Sequence, residues 1–220
     1  MYSVEEIIQQ GSNDLGVHLD KQQYTQLFAY IEALVKWNRV YNLSALHDAD
    51  EIAVKHILDS LASVLPLRAY TTNRPLQLLD VGSGAGLPGA VIAIACPEID
   101  VSCIDASAKK AAFVQQISGS LALGNLHSLH GRVEELRGNY EVVTSRAFSS
   151  LMDFCVSSHQ VLAPDGVWMA MKGKHPDKEI AALPSNVELF HVEQLKVPGL
   201  DAERCLVWMR RASTMGTHQR

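Results

Sequence analysis

The stretch LLDVGSGAGLPG, residues 78–89, sets three glycines at alternate positions directly behind an apolar run. A short apolar run that ends on Gly82, Gly84 and Gly86 reads as a strand turning sharply into the next element. Glycine takes positive φ without steric cost and lets a backbone come close to a ligand. Pro88 suits the first turn of a following helix, where its missing N–H would have had no partner anyway. In a doubly wound sheet, that turn is where ligands sit, beyond the carboxyl ends of the strands.

The remainder of the chain fits such a sheet. LQLLDV (76–81), VSCIDA (101–106), LHSLHG (126–131), YEVVTSRA (140–147) and GVWMAMKG (166–173) read as strands. Between them LPGAVIAIAC, AKKAAFVQQISGSLAL and SSLMDFCVSSHQVL read as helices. VELFHVEQLKV and ERCLVWMRR, separated by PGLDA, close the series as an antiparallel hairpin. The expectation is an α/β fold with a mostly parallel seven-stranded sheet and helices on both faces. Before it, YTQLFAYIEALVKWNRVYNL (24–43) places Leu27, Ile31, Leu34 and Val35 at helical spacing. Asp50 is the expected cap of a second helix, EIAVKHILDSLASVLPL, ending near Pro66. The breaker TTNRP marks the junction. The expected organisation is therefore an N-terminal helical extension (1–74), a ligand-binding core (75–212) and a polar tail (213–220).

Composition excludes several classes. A net charge of −5 rules out nucleic-acid binding by bulk basicity and leaves only a local patch. Cys96, Cys103, Cys155 and Cys205 form no CxxC pair, so they read as small buried hydrophobes in a reducing compartment and no metal is expected. The acidic start carries no secretory pattern. No apolar run approaches the roughly 20 residues of a membrane span. A cytoplasmic protein without membrane contact is expected.

The loop alone leaves its ligand open, and a purely structural turn is also compatible with it. A dinucleotide fingerprint wants glycine at the sixth position, which here is Leu87, and no Lys-Ser/Thr pair follows as a phosphate loop requires. Asp80 puts a carboxylate under the loop, either to cap a helix or to favour a ligand with a positive centre over a pyrophosphate. S-adenosylmethionine carries both an α-ammonium and a sulfonium. Asp105 ends the second strand, where a carboxylate accepts hydrogen bonds from ribose hydroxyls; that fits NAD equally well.

DVGSGAGLPG resembles motif I of the class I S-adenosylmethionine-dependent methyltransferases. Taken with KWNRVYNLS (36–44), HILDS (56–60), GRVEEL (131–136), SRAF (145–148) and MKG (171–173), the chain resembles the bacterial RsmG (GidB) family from about residue 20 to about residue 210. The resemblance implies a Rossmann-like class I methyltransferase that modifies N7 of a guanine in 16S ribosomal RNA near the decoding region, with S-adenosylmethionine as donor. It places Gly82, Leu87, Val133, Glu134 and Arg146 on the cofactor; the physical reading adds Gly84, Gly86 and Asp105. Ser83 and Ala85 stand where relatives often have Thr and Pro, and both are small. Without the resemblance, VEEL reads as a solvated acidic helix start.

The end of the fourth strand faces the sulfonium in this fold. Ser145-Arg146-Ala147-Phe148 replaces the Asn/Asp-Pro-Pro-Tyr/Phe stretch of exocyclic-amine methyltransferases, and no Pro-Cys pair supplies a thiolate for pyrimidine carbon. Guanine N7 offers an unprotonated in-plane lone pair. Alignment alone contributes on the order of 7–11 kcal/mol to such an attack, so no proton-abstracting residue is expected and none is named as catalytic. Arg146 can pair with a cofactor carboxylate or with an RNA phosphate. Lys109, Lys110, Arg132, Lys172 and Lys174 with His175 follow strand ends and are candidate RNA contacts, with Arg204, Arg210 and Arg211 further along; each alone also reads as a solvated charge. Phe148 can stack on a base or belong to the core. Trp37, Asn38, Arg39, Tyr41 and Asn42, with His56 and Asp59 on one helical face, form a candidate second wall. The expected partner is small-subunit ribosomal RNA or the 30S subunit, bound by a monomer. Two other classes remain compatible: an NAD-dependent oxidoreductase, disfavoured by Leu87 and Asp80, and a non-catalytic RNA- or nucleotide-binding module.

Overall fold

The structure, a computed structural model, describes residues 3–212, so the expected polar tail 213–220 lies outside the described residues. Seven strands form one sheet: β1 (Leu76–Val81), β2 (Ile99–Asp105), β3 (Leu126–His130), β4 (Tyr140–Arg146), β5 (Leu162–Lys172), β6 (Val187–Leu195) and β7 (Arg204–Arg211). Their order is β3-β2-β1-β4-β5-β7-β6. β1 to β5 pair in parallel, and β7 inserts antiparallel between β5 and β6. The chain leaves β1 towards β2 on one side and returns as β4 on the other, which opens the crevice where ligands bind in such sheets.

The apolar runs between Pro75 and the first glycine, and between Ile99 and Asp105, are buried almost throughout, as strands covered on both faces must be. One face carries α6 (Gly89–Ala95) and α7 (Ala108–Ser120), and α8 (Leu151–Ser158) covers the other. β5 starts earlier than the sequence implies, because a register shift opposite Tyr140 and Val142 absorbs Pro164–Gly166. Pro cannot donate to a ladder and so sits at such irregularities.

The N-terminal helices are α1 (Val4–Asp14), α2 (Lys21–Tyr41), α3 (Ala49–Ile52), α4 (Asp59–Leu61) and α5 (Val64–Thr71), with a π-helical turn, Ala53–Leu58, between α3 and α4. Capping boxes at Ser3 and Asp20 start the first two. Two boundaries differ from the sequence reading. Asp48, not Asp50, caps α3, accepting the amides of Asp50 and Glu51. The helix does not end at Pro66: the break falls at Ala62–Ser63, and Pro66 is the third residue of α5, where its missing N–H breaks no helical bond.

These helices share one continuous apolar cluster with α6, α7 and the sheet. Gln23 Nε2 donates to the carbonyls of Ile94 and Ala95, and Arg68 Nη2 donates to Ala95. The extension thus satisfies the carbonyls left open at the end of α6.

The join between β1 and α6 is tight. A Cβ on Gly89 would stand 2.5 Å from Cys103 Sγ and 2.9 Å from Asp80 Oδ2, both buried. Gly89→Ala is therefore expected to lower stability by about 1–3 kcal/mol, the usual cost of overpacking. Urea unfolding measures this; an unchanged midpoint would contradict the close approach.

Candidate active site

The loop after β1 is built from hydrogen bonds that point inward. Gly82 and Gly84 hold φ of +63° and +60°, and a Cβ on either would meet nothing within 4 Å. Backbone conformation, not crowding, is what demands glycine there. The amides of Gly82 and Ser83 bond to the carbonyl of Ile104, and those of Gly86 and Leu87 to the carbonyl of Ser83. From below, the buried Tyr30 hydroxyl donates to the carbonyl of Ala85 at 2.8 Å. Sequence periodicity missed Tyr30; its one signal is a polar-tipped ring on an otherwise apolar stripe, which a buried tyrosine needs a partner to occupy.

Asp105 stands where the sequence puts it, at the end of β2. Oδ2 accepts the amide of Gly84 at 2.9 Å and Oδ1 the amide of Ser107 at 2.8 Å. Each oxygen keeps a second lone pair, so the carboxylate is oriented by the loop and can still receive two hydroxyls. Asp80 faces the other way. It is fully buried and accepts the amide of Gly89 at 2.8 Å, while Oδ1 has no partner. Burial pushes its carboxyl up to about 7. The helix-joining role holds, and the expected electrostatic choice between a cationic ligand and a pyrophosphate does not rest on a solvent-facing carboxylate.

Past β3, a 3₁₀ turn (Val133–Glu135) presents Glu134 to solvent. The Val133 side chain packs into the second apolar cluster and its carbonyl takes Gln160 Nε2 at 2.6 Å. Leu87 likewise buries its side chain in the first cluster. What either residue can offer a ligand is backbone.

Arg146 ends β4 inside a network the sequence did not reveal. Nη1 donates to Asp59 Oδ2 at 3.0 Å and to the carbonyl of Lys55 at 3.2 Å; Nη2 lies 3.3 Å from His56 Nδ1. Arg204 Nε reaches the other Asp59 oxygen at 2.7 Å. His56 Nε2 meets Ser44 Oγ at 2.7 Å, and Asn38 holds the Ser44 amide. Nδ1 also lies 3.1 Å from the carbonyl of Lys55, so it accepts from the guanidinium in one tautomer and donates to that carbonyl in the other. The π turn places His56 and the start of α4 places Asp59 on one guanidinium, a use of π-helical geometry common at functional sites. Nε and one Nη2 hydrogen of Arg146 have no protein partner among the described residues. Ala147, next in sequence, holds φ of +68°, an unusual conformation for a residue with a Cβ.

A cavity of about 860 Å³ opens here, lined among others by His56, Asp59, Arg146, Met171, Lys172 and Arg204. The sequence-predicted cations divide by position. Lys109 lies over the Tyr41 ring, 5.8 Å from its centroid, and Lys110 lies 3.9 Å from Asp105 Oδ2. Arg132 and Lys174 are exposed. Lys172 is less available, since Nζ pairs with Glu179 at 2.8 Å and bonds the carbonyl of Phe148. Arg210 and Arg211 leave the site: β7 runs antiparallel, so Arg210 sits beside Val167 at the opposite edge while Cys205 sits beside Lys172. Arg210 pairs with Glu188, and Arg211 caps carbonyls of His159, Leu162 and Ala163. Phe148 is half-buried and packs on Phe154 beside the second apolar cluster. Trp37 packs on Phe113 and bonds Gln116; Asn42 is the left-handed cap of α2.

A glycine loop after the first strand, an acid at the end of the second, and a sheet closed by an antiparallel seventh strand define a class I methyltransferase. Solved structures agree on the fold: TrmN of Thermus thermophilus matches with a TM-score of 0.56 at 16% identity over 73% of this chain and 53% of that one. The 1,6-didemethyltoxoflavin-N1-methyltransferase of Burkholderia thailandensis, solved with S-adenosylhomocysteine, matches at 0.55 and 16% over 83% and 89%. The chain belongs to the GidB family, whose model, described as rRNA small subunit methyltransferase G, matches residues 23–207. The ribosomal RNA small subunit methyltransferase G of Acidovorax ebreus is 56% identical to it, over 94% of this chain and 96% of that protein. The nicotinamide-dependent and non-catalytic alternatives find no support in these likenesses.

Burial first and the Arg146 guanidinium second hold His56 down at about 4. A histidine depressed in the folded state contributes stability that is full above its unfolded value near 6.5 and is lost as pH falls towards 4. Proton NMR titration should therefore show the His56 ring neutral down to pH 5, with a fall in stability on the order of 2 kcal/mol between pH 6.5 and 4 from this group. A ring that titrates near 6.5 would contradict the network.

Proposed function

We propose that this chain transfers the methyl group of S-adenosylmethionine to N7 of a guanine in 16S ribosomal RNA near the decoding region, acting in the cytoplasm as a monomer without a metal. The observation that carries the reading is the junction at the end of β4. There the glycine loop and Asp105 stand after β1 and at the end of β2, and Arg146, at the end of the neighbouring β4, lines a cavity in which the imidazole and the buried carboxylate are already engaged. A site of that kind aligns an acceptor and does not deprotonate it.

The residues present fit the donor. Asp105 keeps two acceptor lone pairs for ribose hydroxyls, and the glycine backbone leaves open space at Gly82 and Gly84. Val133 and Glu134 border the adenine side through backbone. The free edge of Arg146, Nε with Nη2, is a fork for a carboxylate or a phosphate. When bound, S-adenosylmethionine supplies an electrophilic methyl carbon beside a sulfonium. Asp59 holds Arg146 and Arg204 in place. Breaking such a buried pairing costs about 3–5 kcal/mol, because a charge is left without compensation. Lys109, Lys110, Arg132 and Lys174 grip RNA phosphates around the mouth, with Lys172 contributing less because Glu179 holds it.

No helix among the described residues is long and apolar enough to cross a membrane, and no cluster of three or more metal-ligating side chains occurs among them. The experiment is transfer of labelled methyl to small-subunit RNA, followed by mapping of the modified atom. Label is expected on N7 of one guanine. Removing Lys109 and Lys110 together should flatten the salt dependence of RNA binding by about 0.7 in log–log slope for each phosphate no longer neutralised. Label on an exocyclic amine, or on no ribosomal RNA, would contradict the reading.

A further inference from the structure

The acceptor cavity contains an acid that has no partner among the described residues. Asp201 lines the same cavity as Arg146, Met171 and Arg204, in the segment between β6 and β7. It is exposed, and its carboxylate makes no ion pair and no hydrogen bond among those residues. Yet the segment is fixed on both sides. Val197 is buried, the Leu200 amide bonds to the carbonyl of Val197 at 3.1 Å, and Gly199 packs against Val54 of the π turn. Three residues further on, Arg204 is tied to Asp59. A carboxylate is thus presented to the cavity from a pinned loop.

Charge counting gives it a task. Lys55 pairs with Glu51, and Lys172 pairs with Glu179. Arg146 and Arg204 share the single carboxylate of Asp59, which leaves one positive charge in excess around the cavity. Attack by N7 moves charge into that same space. The N7 lone pair forms the bond to the methyl carbon, the carbon–sulfur bonding pair leaves with sulfur, and the formal positive charge passes from the sulfonium to the purine. No proton moves: N1–H stays on the base and becomes a stronger donor. An uncompensated cationic cavity would oppose this development; a carboxylate in it favours the transition state over the ground state.

Guanine offers a carboxylate two parallel donors, N1–H and the 2-amino group, spaced for the bidentate geometry that planar donor pairs make. Adenine has neither. We propose that Asp201 reads the N1–H and 2-amino edge of the acceptor guanine and balances the positive charge that methylation leaves on the base. The inference rests on the methyltransferase reading above and adds to it the residue that selects the base.

The test is a two-by-two comparison: the unmodified chain and Asp201→Ala, each acting on small-subunit RNA with guanine or hypoxanthine at the target position. Hypoxanthine lacks only the 2-amino group. Single-turnover methyl transfer by the unmodified chain should slow about tenfold on hypoxanthine, the worth of one hydrogen bond to a charged group. Asp201→Ala should slow about a hundredfold on guanine, and should treat guanine and hypoxanthine alike. Asp201→Asn, which keeps one acceptor and loses the charge, should fall between. Donor binding by calorimetry and the unfolding midpoint should be unchanged in both variants, separating base recognition from folding. An Asp201→Ala variant with full rate on guanine, or with the same tenfold hypoxanthine penalty, would overturn the assignment while leaving methyl transfer intact. Failure of the unmodified chain to methylate either RNA would instead remove the reading on which the assignment rests.

Discussion

One buried hydrogen bond sets the geometry on which the site depends. Asp80, at the end of β1, accepts the amide of Gly89 at the start of α6. The strand and helix are thereby held closer than any side chain at position 89 permits, and the glycine loop must cross the gap between them. Burial raises the carboxyl towards neutrality. Its folded-state value lies above its ordinary one, so its stabilising contribution is full below about pH 4 and declines as pH rises through 7. The loop is then closed from three sides by the carbonyl of Ile104, the Tyr30 hydroxyl and the Asp105 carboxylate.

A second constraint links the extension to the chemistry. Asp59, from the N-terminal helices, holds an arginine from β4 and another from β7. A buried carboxylate between two guanidiniums gains little net stability over apolar packing. What it does provide is position: Arg146 is held by three protein groups and retains one edge for a ligand. The N-terminal helices thus orient the Arg146 side chain and support the glycine loop through Tyr30.

Much of this was legible in the residues. The first strand reads correctly to its ends because its apolar run is bounded by Pro75 and Gly82, and both signals are local. The closing hairpin reads correctly because PGLDA leaves no room for a helix. Asp105 follows from strand-end position alone. Other features depend on tertiary packing, which periodicity does not carry. His56 and Asp59 three apart imply a shared face, but not that a π turn aims both at Arg146. Pro66 looks like a stop and is a first-turn residue. Arg210 and Arg211 look like part of the basic patch, and strand direction sends them to the far edge. Asp80 is visible as an acid before the loop; which way it turns is decided by the approach of α6.

The crevice at the carboxyl edge of β1, β2 and β4 is the proposed site for a cationic nucleoside donor. Isothermal calorimetry of the folded chain against S-adenosylmethionine and, separately, NAD measures this most directly. The prediction is saturable single-site heat for S-adenosylmethionine, lost in Asp105→Ala, and none for NAD. No heat from S-adenosylmethionine at millimolar concentration, or equal binding of NAD, would contradict it.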